Sequence, residues 1–130
     1  MRTLILAFLS LSCSVLLSCG DDEGSEADRR GVGAQCASSD ECTEEGQSCL
    51  TQFKGGYCGV QDCVHDVDCP EGSACVAHDD GKNYCFLICI DKVDCNIHRD
   101  LENESNCSSS ITFTDGTMSR KACVPPSSGT

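Results

Sequence analysis

The chain has 130 residues, a formal net charge of −12, fourteen cysteines and no tryptophan. Such an acidic surface excludes binding to nucleic acid, whose phosphates require basic patches, and it disfavours adsorption to anionic lipid through a polybasic face. The aromatic residues past the first segment are Phe53, Tyr57, Tyr84, Phe86 and Phe113, so a conventional core is expected to be thin and crosslinks must supply what burial does not.

Arg2 is followed by a short apolar run, Leu4 to Leu17, ending in Leu16-Leu17-Ser18-Cys19-Gly20. A run of that length is too short to cross a bilayer with ease, and residues 1–18 have the shape of a cleavable signal peptide. Its end resembles the lipobox of bacterial lipoproteins: an aliphatic residue three places before a cysteine, a small residue just before it, then the cysteine. That resemblance implies a diacylated thiol and an acylated amino terminus at Cys19, and a protein held at the cell envelope, at the outer membrane, by its lipid. The rival is cleavage after Gly20, with Ser18 and Gly20 at the recognition positions, giving a soluble secreted product. Either cut removes Cys13, Cys19 is acylated or lost, and twelve cysteines remain, an even set for pairing in an oxidising compartment. Residues 19–35 hold the lipid-bearing cysteine and an acidic, Gly- and Ser-containing stretch, expected to be a solvated tether reaching about 20 Å as a flexible coil.

From Cys36 the spacing repeats. Three units follow, at 36–58, 63–85 and 89–123, with cysteines at Cys36, Cys42, Cys49 and Cys58; at Cys63, Cys69, Cys75 and Cys85; and at Cys89, Cys95, Cys107 and Cys123. Each opens with five residues between its first two cysteines; the next gaps hold six, five and eleven residues, and the last hold eight, nine and fifteen. Between the third and fourth cysteines each unit reads as a β-hairpin: CLTQF and YCGV flank Lys54-Gly55-Gly56, CVAH and NYCFL flank Asp79 to Lys82, and ITFT precedes Asp115-Gly116. Gly46 and Gly72, each three residues before a third cysteine, mark a common bend. Linkers of four and three residues favour units packed end to end, and residues 124–130 read as a disordered tail. The fold class is thus small and disulfide-rich, built of tandem short antiparallel hairpins with little helix outside the signal.

Four cysteines allow three pairings per unit, among which spacing alone does not choose. The stretch from Cys63 to Cys69, followed by a Gly-containing step to Cys75 and a hairpin to Cys85, resembles the amino-terminal cysteine-rich region of dickkopf proteins and the related colipase and prokineticin disulfide fingers. The resemblance implies first-to-third and second-to-fourth links: Cys36 with Cys49, Cys42 with Cys58, Cys63 with Cys75, Cys69 with Cys85, Cys89 with Cys107, and Cys95 with Cys123. It extends over residues 36–123 as a spacing pattern, with two insertions in unit three and without the adjacent cysteine pair of colipases and prokineticins. The signalling role of those families does not carry over.

Other chemistry is thinly supported. No C-x2-C occurs, which disfavours both zinc and a thioredoxin-like redox pair, and no cofactor is expected. His65-Asp66 and His78-Asp79 could form base-and-orienter pairs, but the repeats do not require a histidine there, and exposed loop residues are the simpler reading. An acid precedes each second cysteine, Glu41, Asp68 and Asp94; each could organise its loop by accepting backbone N–H bonds, or ligate calcium with Asp66 or Asp91. Asn103 and Asn106 begin glycosylation sequons within the insertion of unit three, expected to be a polar exposed loop with at most a helical turn. The leading expectation is a lipid-anchored, non-catalytic envelope module with an unidentified protein or glycan partner. The rivals are a secreted protease inhibitor using the Phe53–Tyr57 hairpin as bait and, more remotely, a hydrolase.

Overall fold

The computed structural model describes residues 31–116 and 119–128. Because β-branched and aromatic residues come only in short runs between glycines and acids, no strand among the described residues exceeds five residues. In unit one β1 (Ser48–Cys49) pairs with β2 (Cys58–Gly59), in unit two β3 (Ser73–Ala77) with β4 (Asn83–Leu87), and in unit three β5 (Asn106–Ser108) with β7 (Ala122–Val124), all antiparallel. The register sets the third and fourth cysteines of each unit opposite one another: Cys49 against Cys58, Cys75 against Cys85, Cys107 against Cys123. The loop after each first cysteine tightens into a single 3-10 turn at Ser39–Glu41, Asp66–Asp68 and Lys92–Cys95. Gly46 and Gly72 both take positive φ, 78° and 82°, which is the shared bend before the third cysteine that glycine adopts without Cβ strain. The described residues form a small disulfide-rich fold of short antiparallel strands, with no long helix among them.

The hairpin of unit three is more elaborate than its sequence indicates. The ITFT stretch forms β6 (Thr112–Phe113), which leaves its own unit and pairs with β3, so unit two owns a three-stranded sheet in the order β4-β3-β6. The fifteen residues between Cys107 and Cys123 therefore span two units, which is what a gap of that length permits and the shorter gaps do not.

The units do not sit end to end as separate beads. One apolar cluster joins Val32, Leu50 and Phe53 to Tyr57 of unit one, Val76, Tyr84 and Phe86 of unit two, and Ala122 of unit three. The few aromatic residues are concentrated in it: the Phe53 ring packs edge-on against Tyr57, Tyr84 and Phe86 at centroid distances of 6.0, 5.1 and 5.9 Å, a geometry that the ring quadrupoles favour. Tyr57 crosses all three units, its hydroxyl accepting from the Leu87 N–H at 3.1 Å and donating to the Cys123 carbonyl at 3.4 Å. Burial raises its pKa well above the usual phenol range, backed against that neutral hydrogen-bonding role.

Two boundaries expected from composition are corrected. The tether does not run to Gln35: Val32 and Ala34 are buried, and Gly33 N–H donates to the Cys58 carbonyl while Cys58 N–H donates to that of Ala34, so 33–34 lie alongside β2. The stretch after Cys123 is not a loose tail through its length: Pro125 is buried, Lys54 N–H donates to the Pro126 carbonyl, and Ser128 N–H to that of Gln52. In each case one or two buried apolar residues and a few backbone hydrogen bonds, signals too small for a composition window, hold the segment against the body. The signal segment, Cys13, Cys19 and the tether through Arg30 lie outside the described residues.

Candidate functional site

The twelve cysteines of the three units form six bridges: Cys36–Cys49 and Cys42–Cys58, Cys63–Cys75 and Cys69–Cys85, Cys89–Cys107 and Cys95–Cys123. In each unit, then, the two cysteines that face one another across the hairpin are not bonded to each other; both are tied back to the C-x5-C loop. The loop is clamped onto the hairpin by crossed bridges whose sulfurs crowd together. Three cysteines in each unit have their sulfurs within 4.8 Å of one another, as in Cys36, Cys42 and Cys58. These sulfurs are already spent in bridges and offer no thiolate to a metal ion.

The acid before each second cysteine organises that loop. Asp68 accepts from the N–H groups of Val64 and His65 at 2.9 and 2.8 Å, Asp94 from those of Ile90 and Asp91 at 2.9 Å each, and Glu41 from that of Ala37 at 3.1 Å. These backbone donors hold the Asp68 and Asp94 carboxyls below the ordinary aspartate pKa.

The two histidine–aspartate dipeptides part company. His65 does not pair with its neighbour Asp66. Its Nδ1 lies 2.8 Å from Asp115 of unit three, whose other oxygen accepts from the Asp66 N–H at 2.7 Å. Asp66 in turn accepts from Cys75 N–H at 3.0 Å and from Arg120 Nη1 at 2.7 Å, while Arg120 Nη2 donates to the Asp115 carbonyl and its guanidinium stacks 4.2 Å from the Phe113 ring centre. The hydrogen bond to Asp115 raises the His65 pKa and, reciprocally, lowers that of Asp115. The imidazole is wide open to solvent, so this is a cross-unit clasp between the loop of unit two and the long excursion of unit three, with Asp66 filled by an arginine where calcium was considered. His78 instead packs edge-on against Phe53, Tyr84 and Phe86 at the margin of the core.

The insertion of unit three is corrected from a solvated loop to a structural plug. Arg99 and Asn103 are buried, and Ser105 is completely so. The Arg99 guanidinium donates to four backbone carbonyls, those of Asn103 at 2.8 Å, Gly33 at 3.1 Å, Gly56 at 2.8 Å and Lys54 at 2.8 Å. It thereby ties the entering segment and unit one to unit three. Asn103, the first sequon asparagine, donates through its side-chain amide to Gln35 and is enclosed, whereas Asn106, the second, is exposed. The bait reading of the Phe53–Tyr57 hairpin is also corrected: Phe53 is 3% and Tyr57 0% exposed, so neither can enter a protease subsite without unfolding the core.

Sequence reasoning missed Arg99, Arg120 and Asp115. Arginine in a stretch as polar as HRDLENESN gives no periodic signal, and three of its four acceptors come from residues more than forty positions away. What the described surface displays is aliphatic: among the described residues the large hydrophobic side chains left exposed are Val64, Val67, Ile90, Val93, Ile97 and Leu101. Among the described residues no helix is long and apolar enough to cross a membrane. Comparison with protein-family models, with curated proteins and with solved structures finds no match.

Proposed function

We propose that the mature protein is a lipid-anchored, non-catalytic module that presents a rigid binding surface at a bacterial cell envelope, at the outer membrane. The observation that carries this reading is the sulfur inventory. Of fourteen cysteines, the twelve from Cys36 to Cys123 close six bridges. Bridges of this density form in an oxidising compartment and persist there, so the chain belongs outside the reducing cytosol. Cys13 sits inside the apolar run of the signal, which leaves Cys19, in its lipobox-like setting, as the one sulfur to carry acyl chains. Several chains on one residue meet the multi-chain requirement for durable anchoring that an acidic surface cannot meet by electrostatics.

A binding role is supported by what the crosslinks accomplish. Five of the six bridges span 12 to 18 residues and Cys95–Cys123 spans 28; closing a loop of about 15 residues is worth roughly 3 kcal/mol in the chain-entropy model, and the clamped loops hold their exposed side chains in fixed positions. Pre-ordering of this kind lowers the entropy lost on association. Intact mass spectrometry of the membrane fraction tests the proposal. Acyl additions at Cys19 with a gain of twelve hydrogens on reduction are expected; a water-soluble form starting at Asp21 would overturn the anchor, and recovery of free thiols in the folded product would overturn the scaffold.

A further inference from the structure

Where the three units meet the entering segment they leave a pocket of about 220 Å³. Val32, Ala34 and Cys95 form its buried side, and the half-buried Leu87 and Pro70 complete an apolar wall. The lining also holds three carboxylates, one from each unit: Glu44, Glu71 and Asp94. Their placement follows the repeat. Glu44 lies two residues past Cys42 and Glu71 two past Cys69; the matching position in unit three, two past Cys95, is Ile97, which lines the same pocket. Packing of the units therefore gathers three equivalent positions in one place, which no single unit could do. Glu44 and Glu71 are exposed, and among the described residues neither side chain enters an ion pair or a hydrogen bond, so the fold does not depend on them. Asp94 accepts through one oxygen only, Oδ2, from the Ile90 and Asp91 N–H groups.

The lining contains no lysine or arginine, and His98 is its one basic side chain. An anion is repelled by three carboxylates, and a neutral apolar ligand leaves them without counter-charge. A bare metal ion needs oxygens that converge on one point. Among the described residues the only sets of three acidic, histidine or cysteine ligand atoms within 4.8 Å of one another are bridged cysteines, so Glu44, Glu71 and Asp94 stand apart around the apolar wall. That spacing suits a positive charge carried on an aliphatic body, held by apolar contact and a few placed polar groups. A cavity of about 150 Å³ accepts benzene, so a pocket of 220 Å³ suits a body of about six to nine heavy atoms.

We infer that this pocket between the units binds a small aliphatic ammonium ion, with its chain against Val32, Ala34 and Leu87 and its charge among Glu44, Glu71 and Asp94. The inference rests on the binding half of the proposed function. The anchor and the bridges are tested separately by mass, so failure to bind an amine would leave them standing. Each carboxylate lies within two residues of a bridged cysteine, at Cys42–Cys58, Cys69–Cys85 and Cys95–Cys123, which fixes the mouth of the pocket before the ligand arrives.

The test titrates n-pentylamine at neutral pH into the isotope-labelled mature product, bridges intact, and follows amide chemical shifts. Saturable shifts are expected at the amides of Val32, Gly33, Ala34 and Leu87. The double variant Glu44→Gln, Glu71→Gln should raise the dissociation constant at least about tenfold with its thermal midpoint unchanged, since neither side chain holds the fold. Methylamine keeps the charge but lacks the chain, and should bind at least about tenfold more weakly; 1-pentanol and pentanoate should not saturate. The inference is overturned if pentanol binds as tightly as pentylamine, if the glutamine variant binds like the wild type, or if pentylamine gives no saturable shift. It is equally overturned if calcium chloride produces the same shifts with the same dependence on Glu44 and Glu71, which would make the site one for a metal ion. Binding of pentylamine only in the variant Arg29→Ser, Arg30→Ser would also overturn it, by making the two arginines before Gly31 the occupants.

Discussion

Replacing Arg99 by methionine probes how the three units are held as one body. The guanidinium makes four hydrogen bonds to carbonyls at Gly33, Lys54, Gly56 and Asn103, and no carboxylate is among these partners. Bonds to a charged donor contribute about 1.5–3 kcal/mol each, a gross gain of the order of 6–12 kcal/mol. Against it stands the desolvation of a buried cation, several kcal/mol, which is also why burial lowers the Arg99 pKa from its ordinary value. Methionine keeps much of the volume but abandons all four carbonyls at once, three of them around the Gly33 and Gly56 region, where backbone from two segments converges. A net loss of about 3–5 kcal/mol is expected, because several buried carbonyls are left without a donor, each at about 1–3 kcal/mol, while the desolvation of the cation is relieved. At roughly 4–8 °C per kcal/mol for a domain of this size, the thermal midpoint of the oxidised protein should fall by more than about 10 °C. Arg99→Lys, which retains charge but reaches fewer acceptors, should fall between. Guanidinium unfolding monitored by far-ultraviolet circular dichroism, with bridges intact in both proteins, supplies the free energy; a methionine variant within about 0.5 kcal/mol of wild type would refute the reasoning.

Three further outcomes follow from the same geometry. At Gly56, φ is +69° and a Cβ would sit 2.0 Å from the Cys36 carbonyl oxygen and 2.7–2.8 Å from the sulfurs of the Cys36–Cys49 bridge; Gly56→Ala should abolish correct oxidative refolding in reverse-phase chromatography, while Gly81→Ala, in open space at φ +83°, should refold with a loss of only about 1 kcal/mol. Phe53→Ala empties the middle of the aromatic cluster and should cost about 3–5 kcal/mol in chemical denaturation. Because backbone donors lower the Asp68 and Asp94 pKa values in the fold, their contribution is present above the ordinary aspartate pKa and is lost as pH falls through the depressed folded values; Asp68→Asn with Asp94→Asn should flatten the acid limb of a stability-versus-pH curve without altering it at neutral pH by more than the lost charge interaction.

Local structure was legible because it depends on short sequence intervals. Equal C-x5-C openings, an acid one place before each second cysteine and turn glycines beside each hairpin act within a dozen residues, and each found its role: Asp68 and Asp94 on backbone N–H groups, Gly46 and Gly72 in positive φ. The clasp and the plug were not legible. His65 pairs with Asp115 across fifty positions and Arg99 with Gly33 across sixty-six, and neither distance leaves a periodic trace.

The amino-acid sequence by itself determined that this is a crosslinked chain of three repeated units, since twelve evenly apportioned cysteines and scarce apolar residues admit few other stable forms. Only the tertiary structure decided that the units share one core, that β6 crosses from unit three to unit two, and that the segments at 31–35 and 124–128 belong to the body. The physical reason is range. Turns and loop clamps are set by the backbone preferences of neighbouring residues, whereas the placement of Tyr57, Arg99 and Phe113 depends on which surfaces meet when three small units, each too poor in apolar area to be stable alone, bury what they have against one another.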